Sequence, residues 1–280
     1  MPRELSRCQL IERSINTKFR KTLWTPFMTA VTKYELIEPG DRIAVCISGG
    51  KDSMLLAKLM QELSRHSKVP FELIFLVMDP GYSPANRKRI EENAALLEVP
   101  ITVFETDIFA VADIQKSSPC YLCARMRRGH LYSKAKELGA NKIALGHHLS
   151  DAIETAVMSM FYSSKLETMI PKVRSTNFEG MELIRPLYRI HEEDIIAWAR
   201  YNGLSFLQCA CRVTERSADP DAPGASKRQE VKQLIRELKK TNPGIEDSIF
   251  NALHAVWIDT FPGYVSDREY HSFLEHFKGK

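Results

Sequence analysis

Residues 42–53 read RIAVCISGGKDS, and this stretch decides the fold. Arg42 to Ile47 is a short apolar run of strand type, Gly49-Gly50 is a turn, and a helical pattern runs from about Ser53 to His66. In an open parallel sheet, the point where a strand ends and a helix begins is the ligand-binding edge. Two adjacent glycines let the backbone approach a phosphate closely. The helix that follows presents free N–H groups carrying roughly half a positive charge. The stretch is not a Walker loop, because Val45 stands where that pattern needs glycine and Asp52 where it needs Ser or Thr. A carboxylate beside phosphates repels them unless a cation intervenes, so Asp52 points to magnesium.

Outward from this loop, short apolar runs alternate with helical patterns, the signature of βαβ units. Strands are expected at Phe71 to Met78, Ile101 to Glu105 and Lys142 to Leu145, with helices at Pro84 to Leu97, Cys123 to Leu138 and Asp151 to Tyr162. The fold class is α/β, a doubly wound parallel sheet. Residues 163–185 have no sustained period and are expected to form a loop or short hairpin over the site. Helices are expected at Glu192 to Tyr201, Lys227 to Lys240 and Ile245 to Ile258, with a flexible loop over Ser217 to Ser226. In the first forty residues Ile11, Ile15, Phe19 and Leu23 recur every four positions among Arg13, Lys18, Arg20 and Lys21. This is an amphipathic leader that packs on the core, or one that turns its basic side to RNA. The expected domains are a helical leader, 1–40, an ATP-binding α/β domain, 41–190, and a C-terminal helical region, 191–280.

The 280 residues are 44% hydrophobic and 26% charged, ordinary for a folded domain. The longest apolar run, Leu73 to Met78, is far below a membrane span, so no membrane association is expected. The N-terminus carries early positive charge without an apolar stretch behind it, which argues against a secretory signal and for a cytoplasmic location. Six cysteines are then read as thiols. The net charge of +4 is compatible with a nucleic-acid partner without requiring one.

Cys120 and Cys123 form a CxxC at the start of a helix, and Cys209 and Cys211 form a CxC much later. A CxxC brings two sulfurs to one centre, and a third thiolate from a distant turn completes a tripod. The residues alone admit an iron-sulfur cluster, zinc, a redox dithiol or inert thiols. Arg125, Arg127 and Arg128 follow the CxxC, placed to offset thiolate charge or to meet RNA phosphates. Cys46 lies inside an apolar strand and reads as buried and inert, and Cys8 has no visible partner. At a second strand end, Gly146-His147-His148-Leu149-Ser150-Asp151 offers a glycine for close approach and an aspartate that caps a helix or holds a cation.

AVCISGGKDS resembles the signature of the PP-loop ATP pyrophosphatases, a HUP-like fold. The stretch from CYLCARMRRGH through ALGHHLSDAIETAVMSMFYSSKLETMIPK strongly resembles the tRNA 2-thiocytidine synthetases of the TtcA type. The resemblance implies ATP-dependent adenylation of the C2 oxygen of a tRNA cytidine and its replacement by sulfur, with release of AMP and pyrophosphate. It implies that Ser48, Gly49, Gly50, Lys51, Asp52 and Ser53, with Met78, Gly146 and His147, bind ATP. It further implies that Asp52 and Asp151 position magnesium and that Arg127 stabilises charge at the reacting centre. By the same resemblance, Cys120, Cys123 and Cys209, with Cys211 as the alternative third ligand, are expected to hold a [4Fe-4S] cluster. This chain has Ser150 where the family motif GHHxDD has its first Asp, so either Asp151 suffices or Asp52 and Glu154 supply the remaining negative charge around magnesium. The implied partners are tRNA and a sulfur donor, either a cysteine desulfurase persulfide or sulfide, and a homodimer is expected. The leader, residues 125–130, and Lys165, Lys172 and Arg174 are candidate phosphate contacts. Two rival readings are a tRNA lysidine-type ligase, which shares the two loops but needs no metal, and a non-catalytic nucleotide-binding iron-sulfur sensor.

Overall fold

The computed structural model describes residues 4–109, 119–207 and 227–278, with the side chains of 119–124, 276 and 278 outside the description. Two compact units divide the chain, Met1–Glu230 and Val231–Lys280.

The first unit opens with helix α1 (Arg7–Asn16), a π turn (Arg20–Trp24) and helix α2 (Thr25–Lys33). Ser6 caps α1, accepting from the Gln9 N–H at 3.2 Å. A strict four-residue spacing drifts by about 40° per step on an α-helix. The wider turn, with the Phe19 N–H donating to Ser14 O at 2.9 Å, helps keep the apolar residues on one side. Ile11, Ile15, Phe19 and Leu23 are accordingly all buried, while Arg13, Lys18, Arg20 and Lys21 are exposed. The leader thus packs on the core and leaves its basic side to solvent. Lys58, fully buried on the helix below, joins the two layers by bonding Glu12 Oε1 at 2.6 Å and Leu97 O at 2.8 Å. Cys8 does have partners: its Sγ donates to Leu97 O at 3.3 Å and accepts from Lys58 at 3.4 Å. Leu23→Ala is expected to cost about 3 kcal/mol in urea denaturation; a loss below about 1 kcal/mol would mean the leader is not part of the core.

The sheet is built from β1 (Arg42–Ile47), β2 (Glu72–Asp79), β3 (Ile101–Glu105), β4 (Lys142–Ala144), β5 (Lys172–Arg174) and β6 (Glu182–Ile184). Its order is β3-β2-β1-β4-β6-β5. The first five positions are parallel, and β5 runs antiparallel to β6. Helices α3 (Lys51–His66), α4 (Pro84–Leu96), α5 (Pro119–Glu137), α6 (Leu149–Ser163) and α7 (Glu192–Tyr201) connect and cover it. Alternation along β1 separates the two faces. Ile43, Val45 and Ile47 join the core under the leader, α3 and α7, whereas Ala44 and Cys46 join Tyr132 and Ala135 of α5 on the other face. Cys46 is buried among apolar side chains, and burial pushes its thiol up to about 12, so it is inert as expected. At the amino ends of the strands, buried Asp41 and Lys142 pair at 2.7 Å, and Asn141 donates to Asp41 at 2.7 Å. The carboxyl edge opposite is left for ligands.

Residues 163–185 depart from expectation. They do form a short hairpin, β5 pairing antiparallel with β6, but it extends the main sheet: β6 lies beside β4 and β5 closes the edge. Three-residue strands carry too little periodicity to be read from sequence.

Helix α8 (Lys227–Thr241) straddles the division between the units. The second unit continues with α9 (Ile245–Ala252), a 3-10 turn, a hairpin of β7 (Gly263–Ser266) and β8 (Glu269–Ser272), and α10 (Phe273–Lys278). The helix expected to reach Ile258 stops at Ala252. The hairpin turns on Asp267 and Arg268, both with positive φ, as a two-residue turn requires. Among the described residues, no helix is long and apolar enough to cross a membrane.

Candidate active site

The carboxyl ends of β1 and β4 meet in one place. After β1, Gly49 turns the chain at φ +84°, in the left-handed region that favours glycine, and a Cβ there would lie 2.6 Å from Ile90 Cγ1. Gly50 is the N-cap of α3 and places no side chain over the first-turn amides. Ser53 folds inward: its Oγ accepts from the Ser48 N–H at 3.2 Å and donates to Gly50 O at 3.0 Å. The result is a rigid loop around a bare helix N-terminus, the form of an anion cradle.

Gly146 fixes the second loop against the first. A Cβ on it would stand 3.1 Å from both Asp52 C and Ser53 N, so only a residue without one lets the end of β4 press on the start of α3. This contact brings His148 Nε2 to 3.8 Å from Asp52 Oδ1 and 3.5 Å from Asp151 Oδ2. Ser48 through Ser53, Gly146, His147 and Asp151 are thereby assembled at one edge. Met78, near the end of β2, is buried there one register step past the Ile47–Val77 pair. Arg127 lies half-buried on α5, with no hydrogen bond or ion pair to these loops among the described residues.

The charges are arranged in pairs. Lys51 Nζ lies 3.1 Å from Glu192 Oε1 and 3.2 Å from Asp52 Oδ2. Burial would lower the Lys51 pKa, but the two carboxylates outweigh it and the net shift is upward, so the ammonium stays charged. Asp52 Oδ1 is also 3.1 Å from Lys51, yet among the described residues it has no properly directed donor. The ammonium points to the other oxygen, which leaves Oδ1 as a buried acceptor suited to a cation. Asp151 Oδ2 accepts from the His148 N–H at 3.1 Å, and Oδ1 is held by Arg228 Nη1 at 2.7 Å. Burial would raise the Asp151 pKa; the His148 ring and N–H and Arg228 together bring it below the usual carboxylate range. Arg228 also reaches Thr155 Oγ1 at 3.1 Å and Glu154 Oε2 at 3.7 Å. Ser150, in place of a family carboxylate, accepts from the Glu192 N–H at 3.3 Å. Glu192 and Arg228 were not singled out from sequence; only their chemical type, not their position, could have drawn attention to them. Lys172, a candidate phosphate contact, is engaged by Glu38 at 2.8 Å and Glu182 at 3.3 Å.

His147 is held neutral, burial bringing its pKa down to about 4. The unfolded chain, with an ordinary imidazole, takes up a proton below about pH 6.5 that the folded chain refuses. Stability is therefore lost as pH falls from about 6.5 toward 4, with about 2 kcal/mol gone at pH 5 on this account. Denaturation midpoints for wild type and His147→Gln at pH 7 and pH 5 check this: the variant should lose less over that interval, and an equal loss would contradict the shift.

Cys120 and Cys123 belong to α5, which begins at Pro119, but their side chains lie outside the description. Cys209 and Cys211 lie outside the described residues. The last described residue before them, Leu207, donates its N–H to Gly49 O at 3.2 Å. The chain leading to the late cysteines is thus bonded to the phosphate loop itself.

The family model for the PP-loop domain matches residues 16–213. A tRNA-cytidine(32) 2-sulfurtransferase of Geotalea uraniireducens is 37% identical over 85% of this chain and 91% of its own length. That of Syntrophotalea carbinolica is 40% identical over 80% of this chain and 85% of its own. A solved U34-tRNA thiolase of Methanococcus maripaludis, with its [4Fe-4S] cluster, superposes at a TM-score of 0.64 over 82% of this chain and 77% of its own. At 19% identity, that likeness is one of fold. With a PP-loop match over most of its length and curated relatives this similar across nearly all of theirs, the chain belongs to the PP-loop family and, within it, to the tRNA-cytidine(32) 2-sulfurtransferases.

Proposed function

We propose that the protein uses ATP to replace the C2 oxygen of a tRNA cytidine with sulfur. The observation that carries this reading is the Leu207–Gly49 bond, which ties the segment before Cys209 to the nucleotide loop. A lysidine-type ligase would have no use for the CxxC and the later cysteine pair.

In this scheme the bare N-terminus of α3, with Ser48, Gly49, Gly50 and Lys51, receives the phosphates of ATP, while Ser53 holds the loop in shape. Asp52 Oδ1 is the oxygen best suited to magnesium. Asp151 serves as a second ligand once Arg228 yields Oδ1. Met78, Gly146 and His147 border the nucleotide, and neutral His147 adds no charge. The cytidine C2 oxygen attacks the α-phosphorus and expels pyrophosphate; sulfur then takes C2 and AMP leaves. A base in a tRNA loop is already unpaired and costs least to present.

Cysteines 120 and 123 with Cys209, or Cys211 instead, form a donor set that fits a [4Fe-4S] cluster, with Arg127 offsetting its charge. Held by three thiolates, such a cluster would leave one iron free to carry sulfur. On the same reading the sulfur comes from a cysteine desulfurase persulfide or from sulfide, and the working unit is a homodimer, which sedimentation of a monomer under assay conditions would rule out. Nucleosides from cells lacking the gene should be devoid of 2-thiocytidine, and the wild-type gene should restore it. Undiminished 2-thiocytidine in the deletion would remove the assignment.

A further inference from the structure

Arg185 carries a charge that no ion pair among the described residues balances. It follows β6 at the carboxyl edge of the sheet, beside the second loop, where the Leu145 N–H donates to Ile184 O at 3.0 Å. Its Nη1 donates to Ile170 O, but its Nε is sealed from solvent and has no acceptor among the described residues. No ion pair among the described residues reaches it. Other buried or half-buried lysines are matched, Lys58 by Glu12 at 2.6 Å, Lys142 by Asp41 at 2.7 Å and Lys51 by Glu192 at 3.1 Å.

The groups that face Arg185 do not supply the missing charge. Burial raises the phenols of Tyr188, to about 12, and of Tyr132, so both stay neutral. Arg128, on α5, adds positive charge, and the carboxylate nearby, Asp151, is already held by Arg228 at 2.7 Å. Burial accordingly depresses the Arg185 pKa. The adjacent His147 Nδ1 is likewise buried and without a partner among the described residues. A half-buried guanidinium whose Nε is sealed from solvent without an acceptor is best completed by an anionic ligand. A planar donor fork at a substrate edge is suited to a phosphate.

We propose that Arg185, with Arg128 beside it, binds a phosphodiester of the RNA strand next to the target nucleotide. The assignment rests on the tRNA-thiolation reading. ATP has its own cradle after β1, and β6 stands two strand positions away, about 10 Å across the sheet. An anion bound at β6 is therefore assigned to the second substrate.

The test is anisotropy of labelled, unmodified tRNA over a salt series, with ATP affinity and melting temperature measured on the same samples. Arg185→Gln should weaken tRNA binding about tenfold or more and lower the salt slope by about one, with ATP affinity unchanged. Exposed Arg128→Gln, which removes no buried contact, should shift the slope in the same direction and serves if Arg185→Gln fails to fold. Unchanged tRNA affinity and slope in both variants would overturn the assignment. Loss of ATP affinity with tRNA binding intact would overturn it too, placing a nucleotide phosphate there. Wild-type protein that binds no tRNA would overturn both this assignment and the reading beneath it, whereas the other failures leave that reading standing.

Discussion

Gly146→Ala is expected to reduce ATP-dependent pyrophosphate release about 100-fold, the scale of loss when reacting groups are misplaced by an ångström. The added methyl would meet backbone atoms of Asp52 and Ser53 at 3.1 Å, and backbone at a helix start has no rotamer through which to yield. The end of β4 must then draw back, carrying His147, His148 and Asp151 away from the phosphate loop. Overpacking of this kind also costs about 1–3 kcal/mol of stability, so turnover is compared at a temperature where both proteins are folded. Gly129, within α5, is the control: a Cβ there meets nothing within 4 Å, and alanine should be neutral or slightly stabilising. A Gly146→Ala enzyme with wild-type turnover would show that the approach of the two loops does not matter to catalysis.

Cys120→Ala should abolish both thiolation and the brown chromophore of anaerobically purified protein while leaving ATP affinity intact. The phosphates are received by the loop after β1 and the N-terminus of α3, which Ser53 holds in shape through Ser48 N–H and Gly50 O, so losing a thiol on α5 should not undo that cradle. Cys46→Ala separates a ligand from a merely buried thiol. With its thiol pushed up to about 12 inside the sheet, Cys46 should be replaceable at a cost of about 1 kcal/mol with colour and activity kept. Full activity of Cys120→Ala without metal would eliminate the proposed sulfur route.

Local signals made much of this readable before any coordinates. The strand, glycine turn and helix of RIAVCISGGKDS fall where the residues say, because an apolar run, a glycine pair and a helical period are short-range properties. The leader is equally legible, since its four apolar residues declare a buried face. What could not be read is pairing at a distance. Lys51 meets Glu192 across 141 residues, and Arg228 meets Asp151 across 77. Nothing in the local pattern around Glu192 or Arg228 distinguishes either from any charged residue on a helix. Arg185 was missed for a related reason: its importance lies in the acceptor it lacks, which only the packed structure reveals. The three-residue strand β6 escaped because it is too short for alternation to show, and with it went the true position of residues 163–185.

The most direct test of the account uses anaerobically reconstituted protein with tRNA, magnesium, ATP labelled at the α-phosphate and sulfide. Each cytidine that gains sulfur should be matched by one pyrophosphate and one AMP, with no thiolation when ATP is withheld. Sulfur entering tRNA without ATP, or pyrophosphate released against RNA that stays unthiolated, would contradict it.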